Sequence, residues 1–236
     1  FDNNQVLAGS RQLSFDALIE LAYVNQISLS STGYYKTPQI YYDRETASGT
    51  PFYYYALGAA CSEVLIDTLT GEHKVLRVDI LHDVGASLNP TIDRGQVEGG
   101  FIQGMGWLTT EELVWDPRGR LLTDGPATYK VPTIGDTPVD FRVKLVENRA
   151  NAKDTVFHSK AVGEPPLMLA ISVWSALRDA IASLAPAGTG VALDTPATPE
   201  RVLWAVETLR QVSRSKAQPA EHSPASEQRE SEVVPA

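Results

Sequence analysis

Residues 53–83, YYYALGAACSEVLIDTLTGEHKVLRVDILHD, decide the fold class. Both ends of the stretch are rich in Tyr, Val, Ile and Leu. Asp67-Thr-Leu-Thr-Gly71 in its middle has turn chemistry, so the pattern predicts an antiparallel hairpin with arms at roughly 53–67 and 73–83. Downstream, Asp116-Pro-Arg-Gly119 is a β-turn signal between two apolar arms and predicts a second hairpin, while residues 139–147 (VDFRVKLVE) alternate apolar and polar positions as a half-buried strand does.

Helical signals lie between and around these strands. Ser14 is a good N-cap for a short amphipathic helix over Leu13–Asn25, after which Gly33 and Pro38 return the chain to an extended form. Pro165–Ala185 carries Leu167, Leu169, Ala170, Val173, Trp174, Leu177 and Ile181, apolar around most of a helix and hence buried. Thr198-Pro199 sets an N-cap and a first helical proline for a last helix to about Arg210. Strands and helices in this irregular order predict an α+β domain over 1–210. From Gln211 the chain turns to Ser, Pro, Glu, Gln and Lys, too polar to offset its ordering entropy, so 211–236 reads as a disordered tail.

The stretch from Ile92 to Leu113 has helical spacing in Val97, Phe101, Met105 and Leu108 but holds Gly95, Gly99, Gly100, Gly104 and Gly106. Each glycine costs a helix about 1 kcal/mol relative to alanine. The expected compensation is close backbone approach, to another element or to a ligand.

Composition narrows the function. With 43% hydrophobic residues the chain can bury a real core, and 20 Lys and Arg against 29 Asp and Glu give a formal charge of −9, the wrong sign for a phosphate backbone or an anionic membrane. The longest strongly apolar stretch, Pro165–Val173, is far shorter than the roughly 20 residues of a membrane span. The start at Phe1, without Met or signal features, reads as a cut edge of a longer polypeptide. One cysteine, Cys61, excludes an internal disulfide and an iron–sulfur cluster held by this chain alone, and fits a reducing, cytoplasmic setting. His73, His82, His158 and His222 lack ligand spacing and read as surface or satisfied histidines, so no metal site is expected from side chains here. There is no Walker loop and no dinucleotide fingerprint after a predicted strand. Gly85-Ala-Ser87-Leu-Asn89 lacks the closing glycine of a nucleophile elbow, which leaves Ser87 a loop hydroxyl.

Ser159-Lys-Ala-Val-Gly-Glu-Pro-Pro-Leu167 sets one carboxylate between a flexible glycine and two prolines at the mouth of a buried helix. The prolines stiffen the entry and aim Glu164. A helix N-terminus favours the ionised carboxylate that a general base needs, and burial opposes it. Taken alone, Glu164 reads more readily as a first-turn acid that helps start a helix than as a base.

SKAVGEPPL, with DVGASLNP at 83–90, GQVEGGFIQGMGW at 95–107 and TYKVP at 128–132, resembles the molybdopterin-binding subunit of bacterial xanthine dehydrogenases, in one order across roughly residues 34–210. The resemblance implies the C-terminal part of a molybdenum-cofactor-binding domain with β-hairpins and buried helices. It implies that Glu164 is the base at a Mo–OH group in the hydroxylation of hypoxanthine or xanthine to urate, with water as oxygen source and hydride passing to a sulfido ligand. Electrons would leave through iron–sulfur clusters and FAD to NAD on partner domains or subunits, in a dimer of heteromeric units. Gln96 matches a glutamine whose amide can hydrogen-bond the cofactor, and Gly163, Val162 and Lys160 flank the base as candidate cofactor contacts, Lys160 equally as an external salt-bridge partner of Glu164. Glu98, Glu111 and Glu112 suit a solvated helix face. Most of the cofactor, and the residues that orient a purine, would be held by upstream segments, leaving this chain inactive alone. The same motifs suit an aldehyde oxidoreductase or another azaheterocycle hydroxylase, and a non-catalytic scaffold on this fold is the alternative of a different class.

Overall fold

The computed structural model describes residues 2–217, with side chains to Ser213. The chain divides into two compact units, the first ending at Tyr53 and the second beginning at Tyr54.

The first unit holds an antiparallel hairpin, β1 (Gln5–Ala8) and β2 (Arg11–Ser14), then α1 (Phe15–Val24), then a short hairpin of β3 (Tyr41–Asp43) and β4 (Ser48–Thr50). Ser14 caps α1 as its spacing predicts, its hydroxyl accepting from the Ala17 N–H at 3.1 Å.

The second unit is a three-stranded sheet with helices on one face. β5 (Gly58–Ile66) and β6 (His73–His82) form the expected antiparallel hairpin, and β7 (Asp140–Leu145) joins β6 on its other side in parallel. Strict alternation would send Val75 and Val78 to opposite faces, yet both are buried. A bulge resolves this: Glu63 pairs Arg77 and Val64 pairs Val75, so Leu76 is the extra residue and the phase shifts there. Val75, Val78, Ile80 and Val143 then face the helices. The other face is charged, with ion pairs Arg77–Asp79 at 2.6 Å and Arg142–Asp140.

Against the apolar face lie α2 (Pro90–Thr109) and α3 (Ile171–Ala182), and α4 (Pro199–Ala217) packs on α3. α2 buries Val97, Phe101 and Met105 and α3 buries Val173, Leu177 and Ile181, each at a spacing of four. The Phe101 ring meets Phe141 of β7 at 5.5 Å between centroids. The domain is α+β.

Several elements depart from the sequence reading. Around Asp116–Gly119 the turn is present, but its arms pair at a single isolated bridge, Trp115 to Leu121, and not as two strands. The helix expected over 165–185 begins as a 3-10 turn, Pro165–Ala170, and becomes α-helical at Ile171. α4 continues through Gln211–Ala217, residues with good helix propensity, past the point where the tail was expected to begin. The rest of the tail, 218–236, lies outside the described residues. His82 is buried with neither ring nitrogen bonded, against its reading as a surface or satisfied histidine. Glu111 is also buried, beyond the end of α2 and not on its solvated face.

Candidate active site

The segment around Glu164 is held from three sides. On the first, residues 84–86 and 158–160 make a short antiparallel contact: the Lys160 N–H donates to the Val84 carbonyl at 2.8 Å, and the Ala86 N–H to the His158 carbonyl at 3.0 Å. Gly85 lies at its centre with φ +65°, where a Cβ would sit 2.5 Å from the His158 carbonyl oxygen, so this position requires glycine.

On the second side is a buried ion pair. Lys160 Nζ donates to Asp83 Oδ2 at 2.7 Å and to the Tyr55 carbonyl at 3.0 Å. The two side chains are 10% and 4% exposed. Asp83 Oδ1 accepts from the Gly85 N–H at 2.9 Å, and Arg149 approaches Oδ2 at 3.8 Å. Burial pushes the Asp83 carboxyl up, but the Lys160 and Gly85 donors and the two cationic charges outweigh it and hold the group below the ordinary Asp value. Beside the pair, burial depresses His82, with Asp83 opposing and Lys160 reinforcing. Lys160 is thus neither an external partner of Glu164 nor turned toward open space, since its ammonium is committed to Asp83.

On the third side, α2 presents a notch. A Cβ on Gly100 would come 3.2 Å from the Gly163 carbonyl oxygen, and one on Gly104 would come 2.3 Å from the Leu167 carbonyl oxygen and 2.9 Å from Ala170 Cβ. These glycines let the 163–170 backbone lie against the helix. Gly106 likewise makes room for Glu111 and Pro132. At Gly95 and Gly99 a Cβ would meet nothing within 4 Å.

What emerges from these supports is a small polar face. Glu164 and Gln96 are both exposed, and Gln96 Oε1 lies 3.6 Å from the position a Cβ on Gly163 would take. Neither side chain makes a hydrogen bond or ion pair within the described residues. Gln96 is therefore brought beside Gly163, the residue before Glu164, whereas Val162 packs on the hydrophobic core and Lys160 points to Asp83. A cavity of about 470 Å³ lies beside His73, Met105 and Asp136, and one of about 990 Å³ is lined by Gly85, Ala86, Arg94, Glu147 and Arg149; neither is lined by Gln96 or Glu164.

Sequence reading missed Asp83, Tyr54 and His82. Asp83 stands within a quoted motif, but its partner is 77 residues away. Tyr54, whose hydroxyl oxygen accepts from the Ala161 N–H at 2.9 Å, sits 107 residues from it. In the other motifs, Asn89 caps α2 by accepting from the N–H groups of Thr91 and Ile92, Ser87 donates to Asp93 at 2.5 Å, and Lys130 of TYKVP pairs with Asp136 at 2.8 Å.

One carboxylate and one neutral amide, with open glycine backbone beside them, do not make a metal site. Among the described residues no group of three or more His, Cys, Asp or Glu is placed to hold an ion. The donor set fits a cofactor that carries its own metal ligands and takes hydrogen bonds from the protein.

Residues 1–138, which include Gln96 but not Glu164, match the molybdopterin cofactor-binding domain family. Over 195 residues the chain is 53% identical to a xanthine dehydrogenase/oxidase of Mus musculus, covering 80% of this chain and 14% of that protein. It is 47% identical over 190 residues to aldehyde oxidase 2 of Macaca fascicularis, covering 79% of this chain and 14% of that protein. Among solved structures it superimposes on the aldehyde oxidoreductase of Desulfovibrio gigas with a TM-score of 0.62 at 26% identity, covering 80% of this chain and 20% of that one. The chain thus spans about one seventh of the length of the curated relatives it matches.

Proposed function

We propose, because this chain belongs to the molybdopterin cofactor-binding domain family in its xanthine dehydrogenase form, that it supplies the general base and one wall of the cofactor site of a molybdenum hydroxylase acting on hypoxanthine and xanthine. The observation that carries this reading is an exposed, unengaged Glu164 on a backbone fixed from three sides, with the Gln96 amide against Gly163 just before it. A free carboxylate on a rigid support is what proton abstraction needs.

In this reading Gln96 holds the cofactor by hydrogen bonds from its amide, and the bare backbone at Gly163 lets the cofactor approach closely. A molybdenum cofactor bound there would supply the acceptor for two electrons from the substrate. Glu164 Oε would take one proton from the water that supplies the oxygen, as that oxygen bonds to the electron-poor purine carbon, and release it to solvent afterwards. Overall R–H and H2O give R–OH, two protons and two electrons: one proton comes from water through Glu164, and the other leaves with the two electrons of the substrate C–H bond. The electrons leave through iron–sulfur clusters and FAD to NAD, on partner domains or subunits beyond these residues. A single cysteine is too few for a cluster here. The remaining walls of the pocket and the residues that select a purine belong to those parts of the protein as well, and the whole works as a dimer in the cytoplasm.

A second reading, oxidation of aldehydes, is favoured by the likeness to proteins named aldehyde oxidase and aldehyde oxidoreductase. Both readings are tested by comparing native enzyme and Glu164→Gln at equal molybdenum content. Xanthine-dependent NAD reduction is expected to fall at least about 10²-fold, the lower end of general-base effects. Near-native turnover in the variant would exclude the base. A native enzyme that oxidises aldehydes and not xanthine would select the second reading.

A further inference from the structure

The Asp83–Lys160 pair has no part in the proton transfer just described, yet it holds the backbone that carries the base. We propose that Asp83 and Lys160, with Tyr54, are positioning residues for Glu164. The inference rests on the reading of Glu164 as base.

Lys160 is four residues before Glu164, and the segment between them has little else to fix it. Ala161 and Gly163 have no side chain that could anchor it, and Val162 is only partly buried. The polar ties on this stretch are the Lys160 ammonium on Asp83 and the Tyr55 carbonyl, the Lys160 N–H on Val84, and the Ala161 N–H on the Tyr54 hydroxyl oxygen. All of them lead to the end of β6 or to the strand entry before β5. Asp83 in turn is tied by the Gly85 N–H and by Arg149. The sheet end, the 84–86 turn and the segment before Glu164 are therefore one clamp with an ion pair at its centre. A lysine needed only for solubility would not be nine-tenths buried. One needed to contact a cofactor would not spend its charge on an aspartate.

Because a lone buried charge can prevent folding, the main test removes both charges together. Asp83→Asn/Lys160→Met in the full-length enzyme, compared at equal molybdenum content, is expected to lower kcat with xanthine about 10²-fold, the cost of roughly 1 Å of misplacement, while KM moves little. The diagnostic is a cycle with Glu164→Gln. If the clamp acts through Glu164, adding the clamp changes to Glu164→Gln lowers kcat by less than about twofold. Lys160→Arg, which keeps the charge on Asp83, is expected to recover most of the lost kcat. Tyr54→Phe, a milder change that removes one hydrogen bond, is expected to lower kcat about fivefold and to show the same lack of additivity. It decides the matter if the double variant fails to load molybdenum.

Full activity of the clamp variants while Glu164→Gln is impaired would overturn the positioning role and leave the base standing. A further 10²-fold loss in the Glu164→Gln background would overturn it too, by showing that Lys160 acts independently of the base. Near-native activity of Glu164→Gln itself would remove the base, and with it anything to position.

Discussion

Replacing Gly104 by alanine tests how the base segment is seated on α2. The added Cβ would lie 2.3 Å from the Leu167 carbonyl oxygen and 2.9 Å from Ala170 Cβ, where ordinary contact begins at 3.4 Å. Neither neighbour can swing aside, one being main chain and the other a bare methyl. The 163–170 segment must then retreat from the helix by about 1 Å, an overpacking change that costs about 1–3 kcal/mol. Better helix propensity returns about 1 kcal/mol, leaving a net loss of up to about 2 kcal/mol. Leu167 is three residues from Glu164, so the same shift is expected to lower kcat about 10²-fold in enzyme of equal molybdenum content. Gly95→Ala is the internal control. Its Cβ meets nothing within 4 Å, so denaturant unfolding of the full-length protein should show unchanged or higher stability. A Gly104→Ala enzyme that unfolds and turns over like the native protein would refute the seating of the 163–170 segment in the glycine notch.

Other perturbations probe the surrounding frame. His82 has a depressed pKa in the fold, so between that value and the free value of 6.5 the unfolded chain binds more protons. Stability should be full above pH 6.5 and fall on acidification below it. Asp83 and Lys160 are the charged groups acting on this ring, and His82→Leu should flatten part of the slope in a pH series of urea melts, His73 contributing the remainder through its own depressed value. Gly71 has φ +77° and a Cβ there would lie 1.9 Å from the Pro199 carbonyl oxygen, so Gly71→Ala should cost at least about 2 kcal/mol in the same melts. Arg201 joins α4 to Glu112 at 2.7 Å and to the Pro196 carbonyl at 2.8 Å, and Arg201→Ala should cost about 1 kcal/mol after screening by solvent.

Local chemistry was legible in the sequence. Ser14 capping α1, the turn at Asp67–Gly71 and the start of α4 at Thr198-Pro199 all follow from residues close to one another. The burden of glycine in α2 also pointed correctly to close approach at Gly100 and Gly104, although not to which element approaches. What pattern could not supply was pairing at a distance. Nothing in VDFRVKLVE says that β7 lies parallel to β6, and nothing near Lys160 names Asp83 as its partner. Glu111 misled for a related reason. Its spacing extends that of α2, but the helix ends at Thr109 and the next turn folds the carboxylate inward against Gly106. For the site, the motifs singled out Glu164 and Gln96, and the fold was needed to show that Gln96 lies against Gly163, the residue before Glu164.

The distance between Asp83 and Lys160 also orders events in time. The β5–β6 hairpin closes over a turn of a few residues, whereas the clamp joins groups 77 positions apart and pays a larger loop-closure entropy. Refolding should therefore complete the sheet nucleus first and the catalytic edge late. In pulse-labelled hydrogen exchange, the amides of Val78 and Ile80 gain protection before those of Lys160 and Ala161. During synthesis, a ribosome that has not yet made residue 160 leaves Asp83 as an anion without its counter-charge. Glu164, four residues further on, can then be set in place only after residue 160 has emerged.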